Sequence, residues 1–231
     1  MSGIDRAGDV ALTVDLAIFT IHDGVFSVLL VQRGAEPFAG QWALPGGFVQ
    51  PAESVEPAAW RLLAAETGLP RFPGHLEQLR TYGDAGRDPR MRVVSVAHVA
   101  FAPDLPDPTA GGGTAGARWW PVDALAAGPE LAFDHATILR DAVERVRSKL
   151  EYTTLAARFV AEPFSLAELY HVYQAVWGVA PTLATFRRKV LSTNGFVIPE
   201  TGEDLRFRRG PAEVLQPAML RTAPDETDER E

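Results

Sequence analysis

The chain of 231 residues has no cysteine, which excludes a disulfide framework and any cysteine-ligated zinc site. It has no apolar run long enough to span a membrane. Its opening stretch, MSGIDRAGDV, lacks the apolar segment of a secretion signal. A basic excess is missing too, since 22 Lys/Arg stand against 30 Asp/Glu for a net charge of −8. The three glycines Gly111 to Gly113 are not followed by Lys and Ser/Thr, so they make no phosphate-binding P-loop. What is present is 46% hydrophobic residues, enough to pack the core of one large domain or two smaller ones. The expectation is a soluble cytoplasmic protein with no membrane partner.

Pattern reading gives mixed strands and helices. Leu12–Ile21 and Val25–Val31 are β-rich and flank Asp23-Gly24, a type I′ hairpin signal. A loop at 36–41 leads into WALPGGFV, followed by an amphipathic helix at 52–67. Strands are expected at Leu76–Tyr82 and Arg92–Phe101, around a polar loop at 83–91, GDAGRDPRM. Residues 103–117 read as a flexible loop and Arg118–Val122 as a short last strand, with Trp119 and Trp120 on opposite faces. Residues 134–150 read as a helix with Asp134 as N-cap and a stripe of Ile138, Ala142, Val146 and Leu150. His135, alone at that helix start, reads as structural. A domain boundary is placed near 150.

The chain is organised around Gly47–Leu69, GFVQPAESVEPAAWRLLAAETGL. Gly47, Glu53, Arg61, Leu63, Glu66, Gly68 and Leu69 stand in the register of a Nudix box, which this stretch resembles. Ser54 is positioned to cap the helix. Two box positions lack their glutamate: Leu62 and Ala65 stand there instead. Hydrolysis of a nucleoside diphosphate needs divalent metal, and hard cations need several carboxylate oxygens. Positions 62, 65 and 66 share a helix face, and here only Glu66 is acidic.

Past the boundary, Phe164–Gly178 opens with a capping box, Ser165 and Glu168, and a hydrophobic staple, Phe164 with Leu169. A second short helix spans about 182–192, with Leu183, Phe186 and Val190 on one face and FRRK exposing its basic side. Strands at 195–199 and 204–209 follow, around a turn at 200–203. Helix, turn, helix and hairpin describe a winged helix, with the basic surface where a recognition helix is expected. Arginine and lysine there gain affinity from phosphate by counterion release, and arginine also reads guanine edges. The segment after Ala218, ending DETDERE, reads as a disordered tail.

The degenerate box, RDPR-x-RVVSVA, the linker helix and TFRRKV, in this order, resemble the NrtR family, Nudix-related transcriptional regulators of NAD metabolism. The resemblance implies an α/β (α+β) chain: a Nudix α/β/α sandwich at 1–150, then a winged helix-turn-helix at 151–231. It implies a homodimeric repressor on a palindromic double-stranded operator near NAD biosynthesis or salvage genes. An ADP-ribose-like effector would act through the Nudix domain; no cofactor is required, and magnesium would bind only weakly. It carries Gly46, Gly47, Glu53, Arg61 and Glu66 to the diphosphate, with Arg33, Trp42, Phe48 and Arg87 on the rim. Arg61 has a second reading, pairing with a carboxylate to hold the box together. DNA contacts would be Thr182, Thr185, Arg187, Arg188 and Lys189 on the helix, and Arg206 and Arg208 on the wing. No catalytic residue and no metal ligand are assigned. The alternatives are an ADP-ribose pyrophosphatase gathering metal with Glu53, Glu56 and Glu66, and a ligand-binding adaptor.

Overall fold

The computed structural model describes residues 9–69, 71–108, 114–202 and 204–221. The glycine run at 111–113 and the acidic tail from 222 lie outside the described residues. β1 (Ala11–His22) and β2 (Val25–Arg33) form the expected hairpin. Asp23 and Gly24 in its turn have φ of 49° and 78°, the paired positive values that match the twist of the strands. β3 (Trp42–Ala43) extends β2, and β4 (Gly46–Phe48) pairs with the first half of β1. β5 (His75–Tyr82), β6 (Val93–Phe101) and β7 (Thr114–Pro121) complete the sheet. The order is β3-β2-β1-β6-β5, with β4 on β1 and β7 on β2. β1 and β6 are parallel.

Strand alternation sets the layers. Val14, Leu16 and Ile18 of β1 face Leu62 and Leu63 of α1 (Val55–Thr67). Ala17 and Phe19 face the other way, into the core that holds α2 (His135–Tyr152). The sheet therefore lies between α1 and α2, the α/β/α sandwich expected. Ile138, Ala142, Val146 and Leu150 are fully buried. Trp119 joins the α1 side and Trp120 the α2 side.

After a 3₁₀ turn at Thr154–Arg158 come α3 (Leu166–Trp177), α4 (Leu183–Ser192) and a two-stranded wing, β8 (Val197–Pro199) and β9 (Phe207–Arg209). The capping box is formed: the Glu168 amide donates to Ser165 Oγ at 3.2 Å, and the Ser165 amide donates to Glu168 Oε2 at 2.6 Å. Tyr173, Phe186, Val190 and Phe196 fill the small core. That core is continuous with the α2 side of the sheet through Phe159, Phe164 and Val172.

Five local expectations need correction. β7 begins at Thr114, inside the stretch read as a loop, because pairing with β2 satisfies its backbone. Ser54 sits at the α1 N-cap without a side-chain bond. Asp134 does not cap α2 with its side chain; an arginine claims the carboxylate, as described below. Leu183 is 46% exposed, because α4 meets α3 one turn later, through the Phe186 ring. Residues 219–221 are docked rather than loose. The Met219 amide donates to Glu151 O at 2.8 Å, and Arg221 pairs with Glu144 and Glu151.

Glu77 joins β5 to α2. It lies 3.0 Å from His75, 3.1 Å from Arg145 and 2.8 Å from Lys149. Burial would raise its pKa, but these bonds prevail and hold it at about 2. A depressed carboxylate stabilises the fold above its unfolded pKa of about 4.3 and loses that contribution as pH falls. Urea midpoints should therefore fall between pH 5 and 3, and the deficit of Glu77→Gln at pH 7 should shrink across the same interval. A deficit constant with pH would remove Glu77 from this role.

Candidate ligand cleft and basic helix face

The cleft of interest is built at the crossing of β1 and β4. Their register sets Thr13 opposite Phe48, Val14 opposite Gly47 and Asp15 opposite Gly46. A side chain at Gly46 would meet Val14 O at 2.4 Å and Asp15 Oδ1 at 2.7 Å, so only glycine allows this approach. At Gly47 a Cβ would lie 3.0 Å from Leu62. The box leucine thus packs against the floor that glycine opens.

Asp15 is the buried hub. It accepts from Ser95 Oγ at 2.6 Å and from Arg87 Nη2 at 3.3 Å. Arg87, also buried, donates two further bonds to Asp134, at 2.9 and 2.7 Å. His135 closes the group. Its Nδ1 accepts the Leu44 amide at 2.9 Å, and its Nε2 faces Asp15 Oδ1 at 3.6 Å. Because Nδ1 accepts a bond, the ring proton is assigned to Nε2, and burial pushes the His135 pKa down. The loop at 83–91 is therefore no ordinary solvent loop: Arg87 and Asp88 are both buried.

Around this hub lies a cleft of about 260 Å³, lined by Arg33, Phe48, Arg90 and Phe133 among others. Arg90 is bidentate to Asp88, at 3.0 and 2.7 Å. Arg33 has no ion pair among the described residues; it donates to Pro37 O at 2.8 Å and Ala35 O at 3.4 Å. Burial, then the charge of Arg90, lowers its pKa. Its guanidinium stands 4.7 Å above the Phe133 ring, which Arg90 approaches at 5.8 Å. Arg90 is also 5.7 Å from the Phe48 ring, which is 48% exposed. Phe133 has φ 56°, a strained value for a bulky residue, and is braced edge-on by Phe38 at 4.8 Å. Arg33, with no ion pair among the described residues, beside the exposed Phe48 and the Phe133 ring suits an anion joined to a flat ring.

Of the nine residues assigned to the diphosphate pocket, Arg33, Gly46, Gly47, Phe48 and Arg87 line this cleft. Trp42, Glu53, Arg61 and Glu66 do not. Trp42 on β3 packs edge-on against Trp120 at 5.5 Å. Arg61 is spent on Glu53, through bonds of 2.8 and 2.7 Å, and donates to Phe48 O at 3.3 Å. That bridge ties the end of β4 and the loop after it to α1, and Arg61 holds the Glu53 carboxyl below the usual range. Glu66 turns into a separate pocket of about 50 Å³ beside Asp107 and Trp119, where burial raises its pKa. Glu53 is thus held by Arg61, and Glu66 lines the other pocket. Among the described residues no group of three or more His, Cys, Asp or Glu could hold a metal ion.

Sequence reasoning missed Asp15, Arg90 and Phe133. Asp15 was signalled by its place as a lone acid in the apolar strand LTVDLAIF, where burial demands a partner. Arg90 lies in the RDPR motif, of which only Arg87 had been assigned to the pocket. Phe133 carried no pattern of its own.

On α4, Arg187 and Arg188 are exposed, with no hydrogen bond or ion pair among the described residues. Thr182 is the N-cap: its Oγ1 accepts the Thr185 amide at 3.3 Å and donates to Thr185 Oγ1 at 3.0 Å. Lys189 turns away from them and donates to Pro217 O. On the wing, Arg206 pairs with Glu168 at 2.8 Å, while Arg208 stands 3.9 Å from Glu200. Phe186 stays in the core.

Fold and cleft define a Nudix-type sandwich that carries a winged helix. The Nudix domain family matches residues 11–142. The ADPR responsive transcriptional repressor NtrR of Acinetobacter baylyi is 31% identical over 210 residues, 90% of this chain and 82% of that protein. The crystal structure of Shewanella oneidensis NrtR complexed with a 27mer DNA is 32% identical at a TM-score of 0.68, covering 87% of this chain and 98% of that one. The Nudix domain of the same protein complexed with ADP ribose is 36% identical at a TM-score of 0.55, covering 63% and 94%. The chain belongs to the NrtR family of Nudix-related regulators.

Proposed function

We propose that the chain is an ADP-ribose-responsive, DNA-binding transcriptional repressor of NAD biosynthesis or salvage genes. The observation that carries the reading is the pairing of two features on one chain. One is the cleft in which Arg33, with no ion pair among the described residues, stands over the Phe133 ring. The other is the α4 face on which Arg187 and Arg188 have no partner among the described residues. In this reading Arg33, Arg90, Gly46, Gly47, Phe48 and Phe133 receive the effector, and Arg87 positions the loop beside it. Arg187 and Arg188, with Thr182, Thr185 and the wing arginines Arg206 and Arg208, receive the DNA. Residues 1–150 form the sensing unit and the remainder the DNA-binding unit, acting as a homodimer on a palindrome.

α2 is the mechanical link. It begins beside the cleft at Asp134 and His135, and its last residues accept backbone bonds from 215 and 219, beyond the wing. An effector that prefers one loop arrangement can bias α2, and with it the spacing of two recognition helices. ADP-ribose titrated into a complex with a labelled duplex should lower its anisotropy. Equal duplex affinity at zero and saturating ADP-ribose would defeat the sensor reading.

The engagement of Glu53 by Arg61 and the placement of Glu66 in a separate pocket support a regulator with at most weak hydrolysis. Turnover of ADP-ribose with magnesium at an ordinary enzymatic rate, on the order of 1–1000 per second, would reinstate the pyrophosphatase alternative.

A further inference from the structure

A larger cavity, about 570 Å³, opens where the β5 edge, the end of α2 and the wing meet. Its basic lining comes from four segments: His75 on β5, Lys149 on α2, Arg158 at the end of the 3₁₀ turn, and Arg209 on β9. Phe196 supplies an apolar wall, and Glu213 a single lining carboxylate, on an exposed residue.

The cations of this cavity are not evenly paired. Lys149 is matched by Glu77 at 2.8 Å, and Arg209 by Glu162 at 2.7 Å. Glu162 also accepts the Arg209 amide at 2.8 Å. Arg158 forms neither a hydrogen bond nor an ion pair among the described residues, although it is only partly exposed. Burial and the neighbouring charge of Arg209 lower its pKa. Of the two guanidinium groups only Arg209 holds a carboxylate, that of Glu162, and Arg158 is left without one among the described residues. A partly buried donor fork without an acceptor is unfavourable as it stands. Phosphate oxygens meet that deficit, because a guanidinium fork matches them in charge and geometry. The volume suits a small organic ligand.

We propose that this cavity is a second anion site, which takes a phosphate-bearing small molecule of mononucleotide size between Arg158 and Arg209. The site lies apart from the Nudix cleft and shares no residue with it. Its ligand would touch the end of α2 and the wing together. It would therefore act on the placement of the DNA-binding unit without passing through the cleft.

The test uses the full chain carrying Arg33→Gln, which disables the cleft, with AMP as the calorimetric probe. One saturable AMP site per chain is expected, weakened at least about tenfold by adding Arg158→Gln. Arg158→Lys should recover part of the loss, since it keeps the charge and loses the fork. Arg158 has no bond to lose among the described residues, so the melting temperature without AMP should not fall. Absence of saturable binding up to about 10 mM AMP, or equal binding by the Arg158→Gln protein, overturns the proposal. So does a result in which Arg158→Gln weakens only duplex binding, which would make the cavity a contact for the DNA backbone. ADP-ribose titrated into Arg158→Gln alone reads the cleft separately, so failure of one site is distinguishable from failure of the other.

Discussion

Arg187→Ala/Arg188→Ala should reduce duplex binding to the non-specific level without changing the melting temperature. Both side chains project from α4 into solvent with no partner among the described residues, so the fold loses nothing with them. A well-placed arginine contact to a base contributes about 1–3 kcal/mol. Two per recognition helix amount to about 2–6 kcal/mol, roughly 30-fold to more than 10⁴-fold, in each half-site. In a symmetric dimer both half-sites lose it. Binding should fall toward a Kd of about 10⁻⁴–10⁻⁶ M, and its salt dependence should flatten by about one power of salt per lost phosphate contact. Anisotropy with a duplex selected by the wild-type chain from a random pool, at two salt concentrations, measures both. Arg206→Ala should cost less, because Arg206 must leave Glu168 before it can meet a phosphate. Wild-type affinity in the double variant would remove α4 as the recognition helix.

The parts of the molecule legible in the sequence are those specified by local chemistry. The Asp23-Gly24 turn, the Ser165/Glu168 capping box and the α2 stripe each need only a few neighbouring residues to define them. The same holds for Phe186, whose apolar ring shares the helical spacing of Val190 and required burial. The cleft was less legible because it is assembled across the fold. Asp15 and Arg87 are 72 positions apart, and Arg87 and Asp134 are 47 apart. No local pattern declares that one guanidinium serves two distant carboxylates. Box spacing placed Glu66 near the diphosphate, yet the turn of α1 points it toward Asp107 and Trp119. The FRRK run read as one basic face, but the returning segment draws Lys189 aside through Pro217. Charge runs identify which residues are available; only the packing decides which of them remain free.

The largest effect on stability belongs to Arg87→Ala. The guanidinium is buried and donates to both Asp134 and Asp15, which hold the 83–91 loop against the start of α2 and the middle of β1. Removing one member of a buried charge group typically costs about 3–5 kcal/mol, because the remaining charges lose their compensation. That is a large part of the roughly 5–15 kcal/mol that holds a typical domain together. The cost should be smaller in Arg87→Ala/Asp15→Asn, where Ser95 can still bond the amide, and the double-mutant cycle should show coupling of at least about 1 kcal/mol. Below the melting transition the single variant should still bind duplex, since α4 lies far from the loop in sequence and shares no residue with the cleft. Its response to ADP-ribose should be lost, because the loop that carries Arg90 is no longer fastened to the helix that reaches the wing. Arg33→Gln gives the contrasting outcome: Arg33 has no ion pair among the described residues and gives up two bonds to backbone carbonyls, so the effector response should fall while urea stability drops by no more than about 1–2 kcal/mol, less than for Arg87→Ala. If Arg87→Ala unfolds at the wild-type urea midpoint, the buried arginine is not what fastens the cleft to α2.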